Sequence, residues 1–133
     1  MKKILLTLST IGLLQAMATD IIVIAHANVP KMDTKTIAKV FTGKAVIVNN
    51  VPVTPFNFEE ITLRNEFLQK FLGMNEEEYI AYWTVRQYIG KGAEPRKVSP
   101  IQAMIEHIKN TPGAIGYIPA QNLQSDLNII EKK

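Results

Sequence analysis

The chain has 133 residues, of which 47% are hydrophobic and 20% are charged, and it contains no cysteine. This length suits one globular domain and is small for a two-domain enzyme, and the composition is neither that of a disordered chain nor that of a low-complexity one. The lack of thiols excludes disulfide bonds, a cysteine nucleophile and thiolate metal ligands.

The amino terminus has the pattern of a secretory leader. Lys2 and Lys3 precede an apolar run at 4–14, which is followed by the small-residue pattern Ala-Met-Ala at 16–18. The run is shorter than the roughly 20 residues that cross a bilayer. We therefore expect residues 1–18 to be a cleaved signal peptide and residues 19–133 to be a periplasmic domain.

The charge of the chain gives little reason to expect a nucleic-acid partner. The formal net charge is +3, and the predicted leader carries two of the lysines. The remaining chain is close to neutral and has no dense basic stripe with interleaved aromatic residues that would neutralise several phosphates.

The first half of the predicted domain begins with a strand and a helix. The run at 21–25 is β-branched without alternation, which is typical of a strand buried on both faces. Asp33 or Thr34 caps a helix that ends before Gly43. Its apolar positions have helical spacing and predict a buried face made of Ile37, Val40 and Phe41.

A hairpin follows this helix. The β-prone runs 45–48 and 51–56 are joined by Asn49 and Asn50, which tolerate the positive φ of a tight turn. Pro52 and Pro55 each lack a backbone donor. They predict that the second strand of the hairpin lies at a sheet edge or is irregular.

Three helices are predicted next. The first spans about 60–72 and is stopped by Gly73, and the second begins with a capping box made by Asn75 and Glu78. We expect its aromatic stripe to belong to the core, with a ligand platform as the alternative; the stripe comprises Tyr79, Tyr82, Trp83 and Tyr88. The third helix is expected to begin with Ser99 as its N-cap and Pro100 at its first position.

Two closing strands, at 114–118 and 127–130, complete the series. The order of the elements is strand, helix, hairpin, three helices and strands. This order predicts an α/β or α+β domain with a small mixed sheet flanked by helices.

Several local patterns together carry a family resemblance. They are Ile-Ile-Val-Ile at 21–24, Ile-Ala-Lys-Val-Phe-Thr-Gly-Lys at 37–44, Leu-Arg-Asn-Glu-Phe at 63–67, Tyr-Trp at 82–83 with Gly-Lys-Gly at 90–92, and Thr-Pro-Gly-Ala-Ile-Gly-Tyr-Ile at 111–118. In this order the chain resembles the substrate-binding proteins of phosphate ABC transporters, specifically their short periplasmic relatives. The resemblance covers nearly all of residues 20–130.

The resemblance implies the type 2 periplasmic-binding-protein architecture, in which two α/β lobes close on an anion held by helix N-termini and hydroxyl groups. The chain has the length of one such lobe. Larger relatives carry an Arg-Ser-Asp-Gly-Ser-Gly-Thr type segment where this chain has residues 57–63, and only Thr62 keeps a hydroxyl there.

The residues near 62 suggest an anion seat. Arg64 is expected in the first turn of its helix, where a cation is disfavoured unless an anion lies nearby, and Thr62 and free N–H groups would complete a phosphate or sulfate site. The alternative is that Glu60 pairs with Arg64 at i, i+4 and that Glu59 and Glu60 satisfy the helix dipole.

Two further residues, Lys91 and Ser99, carry groups that can donate to an anion. Lys91, between Gly90 and Gly92, could present its amine and backbone N–H groups to an anion, with a plain loop as the alternative. The hydroxyl of Ser99 is expected to cap its own helix and to be unavailable to a ligand.

No catalytic or metal site is predicted. His26 and His107 lie on different elements without a partner at metal-ligand spacing, and the acidic run 76–78 fits the first turn of a helix. No nucleophile, metal cluster or convergent acid and base set is visible, so we expect neither enzyme activity nor a cofactor.

Two functions remain open. The first is a periplasmic solute-binding-like protein that binds a small oxyanion such as phosphate in connection with ABC transport, with Thr62, Arg64 and Lys91 as the predicted contacts and a membrane transporter as a possible partner. The alternative is a ligand-free interaction module that keeps the lobe's fold. That module would use the surface facing the missing lobe to bind another protein or to form a homodimer.

Overall fold

The computed structural model describes residues 19–133, and the predicted signal peptide lies outside the described residues. The strands are β1 (Ile21–Ala25), β2 (Ile47–Val48), β3 (Val51–Pro52), β4 (Thr54–Phe58), β5 (Arg96–Val98), β6 (Ala114–Pro119) and β7 (Asn128–Lys132). The helices are α1 (Thr34–Phe41), α2 (Ile61–Phe67), α3 (Glu76–Tyr88) and α4 (Ile101–Asn110), with a π-helical turn at Leu68–Leu72 and a 3₁₀ turn at Ala120–Asn122.

Five of these strands form one mixed sheet in the order β5-β4-β6-β1-β7. β4 is parallel to β5 and β6, whereas β1 is antiparallel to both β6 and β7. Four strands therefore point one way and β1 points the other. We call the edge where β4, β5, β6 and β7 end the carboxyl edge, and the opposite edge the amino edge.

The structure confirms the predicted mixed α/β class and the central position of the first strand. β1 lies between β6 and β7, and all of its residues are buried. A strand covered on both faces is expected to read as a continuous apolar run, as this one does. The predicted face of α1 is also buried, and Asp33 caps that helix by accepting from the amide of Thr36.

The hairpin is confirmed, and its second strand is irregular, which is one of the two alternatives predicted from the prolines: the run 51–56 is broken at Val53 into β3, which pairs only with β2, and β4. Asn49 and Asn50 adopt φ values of 47° and 69° between β2 and β3. The chain then continues directly into β4, which lies inside the sheet between β5 and β6. Pro55 is tolerated there because it stands at the start of β4, where only β6 is paired; pairing with β5 begins at Phe56.

The helical region after β4 begins and ends where the sequence predicted, but its second half is a π-helical turn and not an α-helix. α2 passes directly into the π-helical turn, which ends at Gly73 in the left-handed conformation, with φ 66°. The capping box of α3 is present, because Asn75 accepts from the amide of Glu78 while the carboxylate of Glu78 accepts from the amide of Asn75.

Two details between α3 and α4 differ from the sequence expectation. β5 is a strand of 3 residues that was not predicted, because so short a run carries no usable periodicity. The expected cap at Ser99 is wrong: Pro100 occupies the N-cap of α4 with extended backbone, and α4 has no side-chain cap. The hydroxyl of Ser99 therefore does not cap α4.

The core joins the sheet to α1, α2 and α4 through fully buried aromatic and aliphatic side chains. Tyr117 of β6 stacks on Phe67 with ring centroids 3.9 Å apart, and Phe41 and Phe58 contact the same tyrosine ring. Within residues 19–133, none of the helices is both long and apolar enough to cross a membrane.

Candidate functional site

A crevice lies at the carboxyl edge where β4 and β5 end. The chain enters α2 directly after β4 and enters α4 directly after β5. The first turns of these helices form the walls of a cavity of about 340 Å³, lined by Phe58, Glu60, Leu63, Ser99, Pro100, Ile101 and Gln102. Ligands of open α/β sheets bind outside the carboxyl ends of the parallel strands, so this crevice is the expected position for a solute.

The start of α4 contributes a positive partial charge to the crevice. Neither Glu60 at the N-cap of α2 nor Pro100 at the N-cap of α4 makes a side-chain capping bond. The first N–H groups of a helix have no partner within the helix, and they carry the positive end of its macrodipole. The start of α4 therefore presents N–H groups at Ile101 and Gln102 beside the hydroxyl of Ser99, a set of donors that suits an anion.

Arg64 lies beneath this crevice and not on its surface. The residue is 5% exposed, and its Nε donates to both carboxylate oxygens of Glu76 at 3.0 Å, while Nη2 also pairs with that carboxylate. Nη1 donates to the carbonyl oxygens of Phe58, at 2.5 Å, and Glu59, at 2.9 Å. The ion-pair partner of Arg64 is thus Glu76 of α3, and the alternative predicted from the i, i+4 spacing, Glu60, is wrong.

This ion pair joins three elements. Arg64 on α2 holds the carboxyl end of β4 through two carbonyls and holds the start of α3 through Glu76. The charge-assisted hydrogen bond from the guanidinium lowers the pKa of the Glu76 carboxyl from its ordinary value. The shape of the crevice wall at residues 58–60 therefore depends on Arg64.

A second buried network fixes the same end of β4 from the core side. Asn57 is fully buried; its Nδ2 donates to the hydroxyl of Tyr79 at 3.2 Å, and its Oδ1 accepts from the hydroxyl of Tyr117 at 2.9 Å. The Tyr79 hydroxyl donates to the carbonyl of Phe41, and the Tyr117 hydroxyl accepts from the amide of Phe58. Every member has a partner, so the network specifies one arrangement of the strand.

Burial perturbs both tyrosines in this network. Desolvation raises the pKa of Tyr79 to about 12 and raises that of Tyr117 further above its ordinary value. Both hydroxyls therefore stay protonated and act as hydrogen-bond donors, not as acids or nucleophiles. This is a structural role, and it places the hydroxyl of Tyr79 in the core.

Thr62 is exposed on a different groove. It lies at the first turn of α2 on the side that faces the start of α3, in a surface groove shared with Glu66, Glu76 and Glu77. Of the three carboxylates in this groove, Glu66 pairs with Lys70 and Glu76 pairs with Arg64, and the exposed Glu77 adds a negative charge that opposes an anion there.

Lys91 lies at the amino edge of the sheet, which is the end of the parallel strands opposite to the crevice. It is exposed, and it lines an apolar cavity of about 180 Å³ together with Val53, Pro55, Trp83 and Pro95. Two of these residues stand at or before the starts of β4 and β5, so this cavity is at the amino edge. The predicted contacts Thr62, Arg64 and Lys91 are consequently not brought together, and their direct contact with an anion stays a prediction.

Some residues that shape the site were not found from the sequence. Asn57 and Tyr117 were not singled out, although a lone asparagine between two phenylalanines in a strand signals a buried polar group that needs partners. The hydroxyl of Ser99 became available only because α4 begins one residue later than expected. Among the described residues, no group of His, Asp and Glu side chains could hold a metal ion.

Comparison with known proteins supports the fold. No family model matches the chain, and no curated protein matches it. Solved structures do match: one is assigned as a phosphate ABC transporter substrate-binding protein with bound phosphate from Clostridium perfringens, with a TM-score of 0.64 and 17% identity. Another is an ABC-type phosphate transport receptor from Vibrio cholerae, with a TM-score of 0.62 and 9% identity.

These matches cover 85% of this chain but only 45% and 46% of the two structures. The chain therefore spans less than half the length of the proteins it resembles. The resemblance inferred from the sequence is confirmed at the level of the fold, which is that of one lobe-sized part of such transport proteins. Both similar proteins are named for transport.

Proposed function

We propose that the chain is a periplasmic, non-enzymatic binding protein that holds a small oxyanion, such as phosphate, in the carboxyl-edge crevice. The observation that carries the proposal is the start of α4, where a helix without a side-chain cap opens into a cavity beside the hydroxyl of Ser99. Fixed N–H groups and a hydroxyl donate to an anion without rearrangement. Similarity of fold to the two phosphate transport proteins supports the same class of ligand.

The crevice residues divide into contacts and support. The amides of Ile101 and Gln102 and the hydroxyl of Ser99 donate to the anion. Glu60 at the rim is an acceptor only, so it accepts from a protonated phosphate oxygen and repels a fully ionised sulfate. Arg64 acts as a positioning residue, because its guanidinium holds the carbonyls of Phe58 and Glu59 in place.

A thermal-unfolding series with phosphate and sulfate tests this proposal. A ligand at 100 times its dissociation constant adds about 2.7 kcal/mol of stability, which is about 10 °C in Tm for a domain of this size. We expect millimolar phosphate to raise Tm and sulfate to raise it less. No shift with either anion would contradict the proposal.

Substitutions test which residues form the anion-binding site. Ser99→Ala removes one donor and is expected to weaken phosphate binding about tenfold, since one hydrogen bond to a charged group contributes about 1.5 kcal/mol. Thr62→Val and Lys91→Ala are matched controls, because these exposed residues lie outside the crevice. If either control abolished the phosphate shift while Ser99→Ala kept it, the seat would instead be where the sequence first suggested.

The export and transport parts of the proposal have their own measurement. The full-length chain expressed in a Gram-negative host is expected in the periplasmic fraction, shortened by the 18 leader residues. Retention of the leader in the recovered protein, or recovery only from the cytoplasm, would contradict periplasmic export. A role with an ABC transporter further predicts that deleting the gene lowers uptake of the bound oxyanion.

A second function is favoured by one observation at the same crevice. Glu59 and Glu60 are exposed at the start of α2, so acids already complement that helix dipole. A ligand-free module that binds a protein through this edge would need no anion seat. An absence of any anion shift, together with a partner whose binding is lost in Glu59→Lys, would favour the module.

A further inference from the structure

The apolar cavity at the amino edge is a space that the anion proposal does not use. Residues from the segments 43–46, 53–55 and 91–95 surround it, and Trp83, which is only 4% exposed, forms one wall. Its volume is about 180 Å³. An apolar cavity of about 150 Å³ stays dry and binds benzene, so this amino-edge cavity has room for one ring of that size.

Two glycines leave the indole of Trp83 uncovered on the side of this cavity. A Cβ at Gly43 would lie 2.8 Å from Cη2 of Trp83, and a Cβ at Gly92 would lie 4.0 Å from Cζ3. Both glycines line the cavity and have positive φ, at +75° and +98°, which glycine adopts at little cost. A molecule in the cavity therefore contacts the six-membered ring of the indole.

The guanidinium of Arg86 lies beside the same wall with most of its donors unused. It lies over the rings of Tyr82 and Trp83, at 5.5 and 5.6 Å from their centroids. Its one hydrogen bond within residues 19–133 is long, from Nη2 to the carbonyl of Gly43 at 3.4 Å. In the same part of the chain its Nε is buried without a partner, and no carboxylate forms an ion pair with it. A partly desolvated cation of this kind is stabilised by an acceptor from outside the chain.

We propose that the amino-edge cavity binds a small carboxylate with an apolar body about the size of one ring. The apolar body fills the cavity, and the carboxylate pairs with Arg86. The N–H bonds of a guanidinium lie in one plane, so a planar carboxylate accepts two of them side by side. Gly43 lines the cavity and accepts from Arg86, which places the cation at the cavity wall. Lys91, exposed and also lining the cavity, adds a second positive charge.

The surroundings favour such a ligand over an inorganic anion. Apart from Lys91, the side chains that line the cavity carry no ionisable group, so phosphate would lose hydration against an apolar wall. Glu94 belongs to the same loop as Lys91 but is not one of the lining residues. The cavity shares no residue with the carboxyl-edge crevice, so the proposal is independent of the anion seat.

Tryptophan fluorescence tests the proposal, because Trp83 is the only tryptophan of the chain. Phenylacetate is the probe, titrated from about 10 µM to about 20 mM at constant ionic strength. We expect it to change the emission of Trp83 in a saturable way. Phenylacetamide keeps the ring without the charge and is expected to bind at least about tenfold more weakly. Acetate keeps the charge without the ring and is expected to leave the emission unchanged.

Substitutions test the two parts of the site. Arg86→Gln is expected to weaken phenylacetate at least about tenfold and to leave phenylacetamide within about twofold. Arg96→Gln is the matched control, because this exposed arginine lies over the ring of Phe56 and does not line the cavity. Ala45→Leu enlarges a half-buried lining residue and is expected to weaken both probes at least about fivefold. Ala81→Leu, at an exposed position of α3 outside the cavity, is expected to change neither.

The wild-type titrations decide the proposal even if a variant fails to fold, which circular dichroism checks. An emission that does not change up to about 20 mM phenylacetate would overturn the cavity as a binding site. Equal affinities for phenylacetate and phenylacetamide, or an equal loss in Arg86→Gln and Arg96→Gln, would overturn the pairing with Arg86. Phosphate separates this site from the anion seat, because it is expected to raise Tm without changing the emission of Trp83. Either proposal therefore fails without the other.

Discussion

Replacing Arg64 by methionine separates a structural arginine from an anion-binding one. Methionine keeps much of the aliphatic stem but loses the bonds to Glu76 and to the carbonyls of Phe58 and Glu59. The Glu76 side chain is 17% exposed, so water compensates the stranded carboxylate only in part. Removing one partner of such a pair costs about 3 kcal/mol, which lowers Tm by roughly 12 °C in a domain of this size.

Glu76→Gln completes the experiment. The amide keeps the shape and one acceptor but removes the charge, so we expect a smaller loss, about 1 kcal/mol. The double variant should lose less than the sum of the single losses, because both substitutions break the same interaction. Urea unfolding of the four proteins measures the coupling directly.

The stability that the Arg64–Glu76 pair contributes should decrease as the pH falls. Pairing with Arg64 lowers the pKa of the Glu76 carboxyl below its ordinary value of 4.5. The stabilisation is therefore fully present above the unfolded-state pKa and is lost as pH falls through the folded-state pKa. The wild type should lose more stability than Glu76→Gln when the pH is lowered from neutrality to below 4.5.

One result would refute this reasoning. If Arg64→Met unfolded within about 1 °C of the wild type, the bonds to Glu76 and the two carbonyls would contribute little. A simultaneous loss of the phosphate response would then identify Arg64 as a direct anion contact.

Two further substitutions test the packing that surrounds the site. Tyr117→Phe removes the donor to Oδ1 of Asn57 and leaves the buried amide of Phe58 unpaired. It should lower the free energy of unfolding in urea by about 1–3 kcal/mol. The control Tyr88→Phe, at an exposed residue, should change that free energy very little. Gly113→Ala puts a Cβ 2.4 Å from the carbonyl oxygen of Pro52 at φ +82°. It should lower stability by at least about 2 kcal/mol, whereas Gly90→Ala, with the same kind of φ and open space, should cost about 1 kcal/mol; equal losses would contradict the clash.

Local sequence signals were sufficient for most elements because the forces that form them are local. The capping box of Asn75 and Glu78, the positive-φ turn at Asn49 and Asn50, and the continuous apolar run of β1 all appear as predicted. Each depends on residues within one turn or one strand. The mixed α/β class followed from the order of these elements.

The hydrogen-bond and ion-pair partners of buried polar side chains could not be predicted from local sequence. From the sequence, Arg64 had Glu60 as its nearest acidic partner at helical spacing, but the fold brings Glu76 to it from the next helix. The same holds for Asn57, whose partners Tyr79 and Tyr117 lie 22 and 60 residues away along the chain. Spacing along one helix cannot anticipate a partner that only the packing of another element supplies.

The sequence by itself determined most of the elements, the buried apolar faces of its helices and the fold class, because backbone propensity and apolar periodicity are properties of each segment. Only the tertiary structure decided whether each candidate residue lies at the carboxyl edge or at the amino edge of the sheet. Thr62 lies near the carboxyl edge and Lys91 at the amino edge, because α3 carries the chain from one edge to the other between them. The direction of the parallel strands, which is a property of the whole sheet, thus fixes where the crevice opens.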